Sequence, residues 1–563
     1  MSMDTTAIDQ ALQTLKENKD RWAEWPIQEK VKVLDLMLQK TRSVAPRMVA
    51  KALHAKGIEP GTPRAAEEWL GGPMVAARNL RLLRQSLTEI ARDGVPSLDD
   101  NKIRTRANGQ VIADVFPQDI FDTLLYTGFR AEIWMQKDVK RDELRKTMGV
   151  FYQQANPKGK VALVLGAGNV ASIGPMDVLY KLFVEGQVCV LKLNPVNEYT
   201  GPFVEEWFSP LVEEGFLRLV YGGGDVGAYL CQHEEVEEIH ITGSEYTHDI
   251  IVYGPGEEGQ KRKEKNEPVL DKRITSELGN VSPVIVVPGK WSKSQIAFQA
   301  ANVATQMTNN AGFNCNAAKV LITHDAWPQR NEFLDALRET LRSLPPRPAY
   351  YPGAQDRYKT FIEAHPEAEQ LASTETKDSL PWTLIPNVDN QQHDDVVFQQ
   401  ESFCNITAET ALSASNAGDF LSKAVDFCNE HLHGTLNACI IVHPETQQQL
   451  GSQLEKAIEK LEYGSIVINH WPALSYGLGV TTWGAYPGHT YDNIQSGIGV
   501  VHNSLMFEHP EKSVVYGPFT MKPTPPWFST HKAAHKMVPH LVDFETNPRW
   551  SVLPQIIWHA MRG

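Results

Sequence analysis

The stretch VALVLGAGNVASIGPMDVLYKLFVEGQVCVLKL (161–193) decides the fold class. It holds two short apolar runs, VALVL (161–165) and VCVLKL (188–193), separated by a segment with helical character. The alternation continues with LRLVY (217–221) and EIHIT (238–242). Strands that alternate with helices at this spacing form βαβ units around a parallel sheet, so we expect an α/β fold.

A second α/β block follows the first. Its predicted strands are PVIVV (283–287), AKVLITH (318–324), ACIIVH (438–443) and SIVIN (465–469). The boundary between the blocks is expected near residues 270–280, because GEEGQKRKEKNE (256–267) interrupts the alternation. We interpret that charged run as a solvated surface loop, with a docking patch as the alternative.

The rest of the chain is organised around these two blocks. Residues 7 to about 92 have apolar side chains at helical spacing and predict helices, and MQKDVKRDELRKTM (135–148) also looks helical. The last 90 or so residues are rich in Pro, Trp and His and are expected to be irregular. The predicted units are 1–274, which includes a bridging segment at about 130–158, then 275–468, and a C-terminal segment over 469–563.

Composition excludes several classes of function. The 563 residues carry 54 basic and 68 acidic side chains, a net charge of −14, which argues against nucleic acid as the main partner. Charged residues interrupt every apolar run before it reaches the length of a membrane span. The N-terminus does not resemble a secretory signal, and six cysteines without a CxxC pair predict neither a disulfide framework nor a metal site. We therefore expect a cytoplasmic protein.

Two glycine clusters follow predicted strands and precede predicted helices. One begins at Gly166 and Gly168, and the other contains Gly224 and Gly227. Glycines in this position let backbone N–H groups approach a pyrophosphate, but strand-to-helix turns also collect glycine for conformational reasons alone. A simple dinucleotide site at Gly166 would also need an acid at the end of the second strand, where Lys192 stands.

Two side chains are candidates for catalysis. Cys315 lies in NAGFNCNA (310–317), a polar, glycine-containing loop, where a thiol is better placed to react than in an apolar element. On this evidence a nucleophile and an unreactive thiol remain equal alternatives. Glu277 lies in SELGNVSP (276–283), at the expected boundary between the blocks, and is a candidate general base.

Taken together, these segments resemble the NAD(P)-dependent aldehyde dehydrogenase superfamily from about residue 10 to 500. The matches fall in the family's order: VLGAGNVASIGP supplies the oxyanion-hole Asn169, VCVLKLNP the ribose-binding Lys192, ITGSEYTHDII the pyrophosphate turn Gly243 and Ser244, SELGNVSP the general base Glu277, NAGFNCNA the nucleophile Cys315, and QESFCN the nicotinamide-ribose pair Glu401 and Phe403. Gly224, Gly227 and Leu278 complete the expected cofactor contacts.

The resemblance implies a Rossmann-type cofactor domain, an α/β catalytic domain and a small C-terminal oligomerisation element. It further implies oxidation of an aldehyde to a carboxylic acid with NAD or NADP, through a thiohemiacetal and a thioester on Cys315, in a homodimer or homotetramer. Glu277 favours hydrolysis of that thioester over transfer to CoA, as in the acylating relatives. A cysteine hydrolase and a catalytically silent binding protein on the same scaffold remain alternatives.

Several motifs depart from the family's pattern. The base motif continues with Asn280 where a second glycine is usual, and Phe313 stands two residues before Cys315, where Gln is common. Pro195 occupies the place of the family's acid at the adenosine ribose, and Glu198 is displaced from it. These departures leave the aldehyde and the choice between NAD and NADP open.

Overall fold

A computed structural model of the chain describes residues 5–372 and 378–563. Its strands are β1 (Ile103–Thr105), β2 (Val111–Phe116), β3 (Arg130–Met135), β4 (Val161–Leu165), β5 (Val188–Lys192), β6 (Leu217–Val220), β7 (Glu238–Gly243), β8 (Arg273–Leu278), β9 (Pro283–Val286), β10 (Val320–His324), β11 (Arg347–Pro348), β12 (Glu369–Gln370), β13 (Ser379–Leu380), β14 (Thr383–Ile385), β15 (Ile406–Leu412), β16 (Asn437–Ile441), β17 (Ser465–Ile468), β18 (Thr482–Gly484), β19 (Val500–His502) and β20 (Pro510–Tyr516).

Its α-helices are α1 (Thr6–Glu24), α2 (Ile27–Ala55), α3 (Ala66–Trp69), α4 (Val75–Asp93), α5 (Ile120–Leu125), α6 (Ile173–Phe183), α7 (Gly201–Trp207), α8 (Ser209–Glu213), α9 (Gly224–Gln232), α10 (Glu245–Tyr253), α11 (Gly256–Lys265), α12 (Lys293–Thr308), α13 (Arg330–Ser343), α14 (Ala354–Ala364), α15 (Val396–Gln399), α16 (Ala417–His431), α17 (Pro444–Leu450), α18 (Ser452–Lys460), α19 (Ala473–Leu478), α20 (Ala534–Thr546) and α21 (Leu553–Ala560). Within the described ranges, none of these helices is both long enough and apolar enough to cross a bilayer.

The first α/β block forms a five-stranded parallel sheet in the order β6-β5-β4-β7-β8. Its central strands β4 and β5 are buried along almost their whole length, as expected for a parallel sheet covered on both faces. The predicted α/β class is therefore confirmed. The fifth strand, β8, was not predicted, and the expected boundary at 274/275 falls inside it.

The second block belongs to an eleven-stranded mixed sheet in the order β1-β2-β3-β20-β17-β16-β9-β10-β15-β14-β12. Strands β17, β16, β9, β10, β15 and β14 run parallel to one another, and the edge strand β12 pairs antiparallel with β14. Strand β20 pairs in parallel with β17 on one side and antiparallel with β3 on the other. The segment after residue 469 therefore joins both units, because Ile498 and Ser496 also accept hydrogen bonds from the outer edge of β8 (2.8 and 2.9 Å).

Three expectations about local structure were wrong. The charged run at 256–267 is not a loop but contains the exposed helix α11, which ends at the left-handed residue Asn266. The run at 135–148 contains only a short 3-10 turn, Leu144–Thr147, in place of a helix. The C-terminal 90 residues are not irregular, because they include β20, α20 and α21.

The predicted N-terminal helices are present as α1, α2 and α4. Their apolar faces pack into the same core as the five-stranded sheet, and Trp22 on α1 is fully buried there. The indole N–H of Trp22 donates to the carbonyl of Leu182 (3.0 Å), which fixes α1 against α6. This helical layer supports the sheet from which the candidate site is built.

Candidate active site

The loop that carries Cys315 has an unusual backbone. After α12 ends, Asn310, Ala311 and Gly312 all have positive φ angles, between 50° and 76°. Such angles cost about 1–2 kcal/mol for each residue with a Cβ, so the surrounding contacts must hold this turn. Cys315 follows it and is partly exposed, whereas the other five cysteines are buried. Exposure favours the reactive alternative for Cys315.

Glu277 lies near the end of β8 and is only 4% exposed. Burial, with a further contribution from the charge of Asp177, raises the pKa of Glu277 to about 8. Burial also raises the pKa of the Cys315 thiol, and Glu277 is the charged group that raises it most. The carboxyl and the thiol therefore lie within interaction range of each other, and the pair is predominantly uncharged at neutral pH.

Asn169 lies beside the same thiol. It is 6% exposed, and its side-chain amide donates a hydrogen bond to the carbonyl oxygen of Phe313 (2.9 Å), two residues before Cys315. Cys315 and Asn169 both line one small cavity. A primary amide has two N–H donors, so Asn169 keeps one for a substrate oxygen.

A buried lysine ties these two segments together. Lys56 is 4% exposed, forms an ion pair with Glu68 (2.9 Å), and donates to the Asn169 carbonyl (3.0 Å) and to the Asn310 side chain (3.1 Å). The Asn310 amide and the Tyr350 hydroxyl donate to the same carbonyl (2.9 and 3.1 Å). Sequence reasoning missed this clamp because Lys56 stands more than 100 positions from Asn169 and Asn310, in a segment without a recognisable motif.

Glu401 is a second carboxyl whose charge raises the pKa of the Cys315 thiol. Burial raises the pKa of Glu401 to about 7, and one of its carboxyl oxygens is buried without a hydrogen-bond partner. A Cβ at Gly279 would lie 1.8 Å from its other oxygen, which explains glycine at that position. Phe403 has a positive φ of 39°, and its ring packs against Phe313 and Tyr351. An unpartnered carboxyl oxygen fits the ribose hydroxyl expected of a nicotinamide nucleotide.

The predicted residues for the rest of the nucleotide lie at the carboxyl ends of the five-stranded sheet. Lys192 is the last residue of β5. Burial lowers the pKa of Lys192, and the negative charges of Asp225 and Glu198 partly offset that shift. Gly224 begins α9 and has no atom within 4 Å of the place a Cβ would occupy, and Gly227 is almost as open, with one leucine methyl at 3.9 Å.

The remaining cofactor residues lie at the ends of β7 and β8. Gly243 closes β7 and is exposed, and Ser244 caps α10 by accepting from Thr247 N–H (3.2 Å). Leu278 follows Glu277 and is buried. The open Cβ positions at Gly224 and Gly227 and the exposed Gly243 leave this backbone approachable, so the residues present fit a dinucleotide. Sequence reasoning did not identify Asp225 as an acid beside Lys192.

The first glycine cluster has a different role. A Cβ at Gly168 would lie 2.7 Å from the Asn194 side-chain oxygen, and one at Gly166 would touch the Lys192 carbonyl at 3.5 Å. These glycines allow the turn after β4 to pack against the turn after β5. This packing, together with Lys192 at the end of β5, disfavours a simple phosphate site at Gly166.

The sequence is similar to known dehydrogenases over part of its length. Residues 101–356 match the model of the aldehyde dehydrogenase family. A 145-residue segment is 29% identical to 4-trimethylaminobutyraldehyde dehydrogenase of Oryzias latipes, and that segment spans 26% of this chain and 26% of that protein.

Solved structures resemble most of the chain. An NADP complex of glyceraldehyde-3-phosphate dehydrogenase from Bacillus halodurans has a TM-score of 0.60 at 16% identity, over 91% of this chain and 92% of the other. The substrate-bound Staphylococcus aureus AldH has a TM-score of 0.60 at 14% identity, over 94% and 98%. At such identities the likeness establishes the shared fold.

Proposed function

We propose, on the premise that this chain belongs to the aldehyde dehydrogenase superfamily, that it oxidises an aldehyde to the carboxylic acid with NAD or NADP. One observation carries the proposal: Cys315 and Asn169 line one small cavity, and the Glu277 carboxyl, from a third segment, lies within interaction range of the Cys315 thiol. Cysteine, carboxyl and amide are the three groups that this chemistry requires.

The first step is attack of the Cys315 sulfur on the aldehyde carbon. The thiol must lose its proton, and Glu277 is the neighbouring group that can accept it. The carbonyl oxygen becomes an oxyanion as the C–S bond forms. The free N–H of Asn169 is placed to stabilise that charge, and a donor of this kind contributes about 2.7–4 kcal/mol to the transition state.

Oxidation then removes a hydride from the tetrahedral carbon. A bound nicotinamide supplies the hydride acceptor, and Glu401 is positioned to orient its ribose. Loss of hydride leaves an acyl thioester on Cys315.

Hydrolysis completes the reaction. Glu277 first releases to solvent the proton that it took from the thiol, and then takes a proton from a water molecule. The hydroxide adds to the thioester carbon, the C–S bond breaks, and the sulfur regains a proton from Glu277. The carboxylic acid that leaves gives up its own proton to solvent. The balanced reaction consumes aldehyde, NAD(P)⁺ and water and yields carboxylate, NAD(P)H and protons. The position of Glu277 beside the thiol supports hydrolysis over transfer to CoA.

The surroundings of the thiol also bear on the cysteine-hydrolase alternative. The two charged groups with the largest effect on the Cys315 pKa are both carboxyls, Glu277 and Glu401. A cysteine hydrolase requires an imidazole to stabilise its thiolate. The arrangement supports a dehydrogenase.

The test is direct. Purified protein mixed with an aldehyde and NAD⁺ or NADP⁺ should increase absorbance at 340 nm and yield one carboxylate per nicotinamide reduced, without added thiol. Acyl-CoA formation that depends on CoA would instead identify the acylating subclass. Cleavage of esters without any change at 340 nm would identify a hydrolase.

The proposal extends to assembly and location. We propose a homodimer or homotetramer, supported by exposed apolar side chains on α21 and directly after it: Ile557, Trp558 and Met561 are 53%, 56% and 73% exposed. Light scattering measures the mass of the assembly against 63.0 kDa for one chain. A cytoplasmic location is supported by six free cysteines, which is the state that a reducing compartment maintains.

A further inference from the structure

The cavity at Cys315 has an apolar wall. Its volume is about 130 Å³. It is enclosed by side chains from well-separated segments, among them Leu70, Met74, Ile173, Leu474 and Trp527. A cavity of about 150 Å³ with such a lining accommodates a benzene ring. The space beside the thiol therefore suits an aromatic ring or a short alkyl chain.

The wall also lacks a counter-charge for an anion. The described residues that line the cavity include no Lys, Arg or His. Their one acid, Glu67, forms an ion pair with Arg347 and accepts a hydrogen bond from the backbone N–H of Asn310 (3.0 Å). An aldehyde with a carboxylate or a phosphate would lose its hydration here without an ionic partner, which is costly.

Two polar atoms in this wall have no partner. The indole N–H of Trp527 and the side-chain oxygen of Asn316 are both buried and make no hydrogen bond with any residue that the structure describes. Buried polar groups are nearly always paired, so each unpaired one needs an explanation. Trp527 comes from the C-terminal segment, where its ring packs against Phe129 and His470 (6.1 Å between centroids in each case). The Trp527 ring is therefore fixed in the wall of the cavity, and its N–H is left without a partner among the described residues.

We infer that the substrate is a neutral aromatic aldehyde of about the size of benzaldehyde, with a hydroxyl group that accepts a hydrogen bond from Trp527 Nε1. This inference rests on the proposed function and specifies its substrate class. Trp527 is accordingly the specificity-determining residue of the cavity. The same hydroxyl can donate to the free oxygen of Asn316, since a phenol both donates and accepts.

The experiment measures kcat/KM with benzaldehyde, 3- and 4-hydroxybenzaldehyde, 4-carboxybenzaldehyde, pentanal and succinate semialdehyde. A hydroxybenzaldehyde should exceed benzaldehyde by about tenfold, the effect expected of pairing one buried donor. Each anionic aldehyde should be at least about 100-fold poorer than its neutral counterpart. In Trp527→Phe, which keeps a ring and removes the N–H, the ratio of hydroxybenzaldehyde to benzaldehyde should fall to near one.

Two results would overturn the inference while leaving the proposed function intact. One is an anionic aldehyde oxidised as well as its neutral partner, and the other is an unchanged hydroxyl preference in Trp527→Phe. If no aldehyde is oxidised, the proposed function fails, and calorimetric titration with 3- and 4-hydroxybenzyl alcohol decides the inference separately. Binding that weakens in Trp527→Phe supports it, and absence of binding to the wild type contradicts it.

Discussion

The two sides of Cys315 are built differently. On the cofactor side, the predicted residues come mostly from one continuous run of strand ends between residues 166 and 278, and the polar groups there include Lys192 and Glu401. On the substrate side, the wall comes from scattered segments, from Leu70 to Trp527, and is apolar. The residues that carry out a shared reaction must be of particular types. The residues that surround a substrate need only match its shape and polarity, which many side chains can do. The first side can therefore be recognised in a sequence, and the second cannot.

Cys315 lies between the two sides, and its removal has the largest expected effect. Cys315→Ala should lower kcat by at least about 10³-fold, because no acyl intermediate can form. Binding of NAD(P)⁺, measured by calorimetry, should stay within about twofold, since the thiol holds neither the ribose nor the phosphates. Cys231→Ala, at a buried cysteine on α9, is the control and should keep full activity. Turnover that survives in Cys315→Ala would place the nucleophile elsewhere.

Asn169 is the one predicted residue on the substrate side of the thiol. Asn169→Ala should lower kcat by about 10²–10³-fold, as expected for loss of one oxyanion donor. KM should change much less, because the amide acts on charge that develops in the transition state. A thermal melt controls for loss of the Phe313 contact, and a variant with full activity and an unchanged melt would exclude an oxyanion role.

The Lys56 clamp holds the Asn169 and Asn310 segments together and should show its effect mainly in stability. Lys56→Met leaves Glu68 buried without its partner, which should lower the free energy of unfolding by about 3–5 kcal/mol. In the double variant with Glu68→Leu, most of that loss should return while kcat stays reduced, because the Asn169 carbonyl has lost one donor. Chemical denaturation and steady-state kinetics measure the two effects. Recovery of kcat together with stability would show that Lys56 does not position Asn169.

The difference in kcat/KM between NAD and NADP is the smallest effect that we expect. Pro195 stands where the aldehyde dehydrogenases that this chain resembles have an acid at the adenosine ribose, which predicts use of both NAD and NADP within about tenfold of each other. Asp225 and Glu198 nevertheless lie near enough to Lys192 to oppose the lowering of its pKa. Asp225→Asn should shift kcat/KM toward NADP, because an acid repels the 2′-phosphate. A 100-fold preference for NAD in the wild type, erased by Glu198→Gln and untouched by Asp225→Asn, would identify Glu198 as the excluding acid.

The parts of the fold that the sequence predicts are those with a strong local pattern. Residues 161–165 form β4 as expected, because an apolar run of that length bounded by glycine fits a buried strand and little else. Strand β8 was not predicted because ITSEL (274–278) mixes polar with apolar residues, and the hydrogen bonds to Ser496 and Ile498 that complete its edge come from a distant segment.

In the candidate site, too, residues within a local motif could be predicted, whereas residues whose role depends on distant segments could not. Glu277, Cys315 and Asn169 could be named from motifs, and the structure brings them together. Lys56, Asp225 and Trp527 could not, because their roles depend on contacts between parts of the chain that are far apart. The aromatic residues Tyr126 and Trp471 also line the cavity, whereas Trp134 lies in a hydrophobic core.

The most direct test of the proposed mechanism measures what Glu277 does during a single turnover. With the pKa of Glu277 raised to about 8, the base is mostly protonated at neutral pH, so steady-state kcat should rise with pH up to and beyond 8. In Glu277→Gln that rise should disappear, and rapid mixing with aldehyde and NAD(P)⁺ should give a burst of absorbance at 340 nm that equals the concentration of sites and is followed by slow turnover. A variant that loses the burst together with turnover, or that keeps wild-type turnover, would contradict the role of Glu277 in hydrolysing the acyl-enzyme.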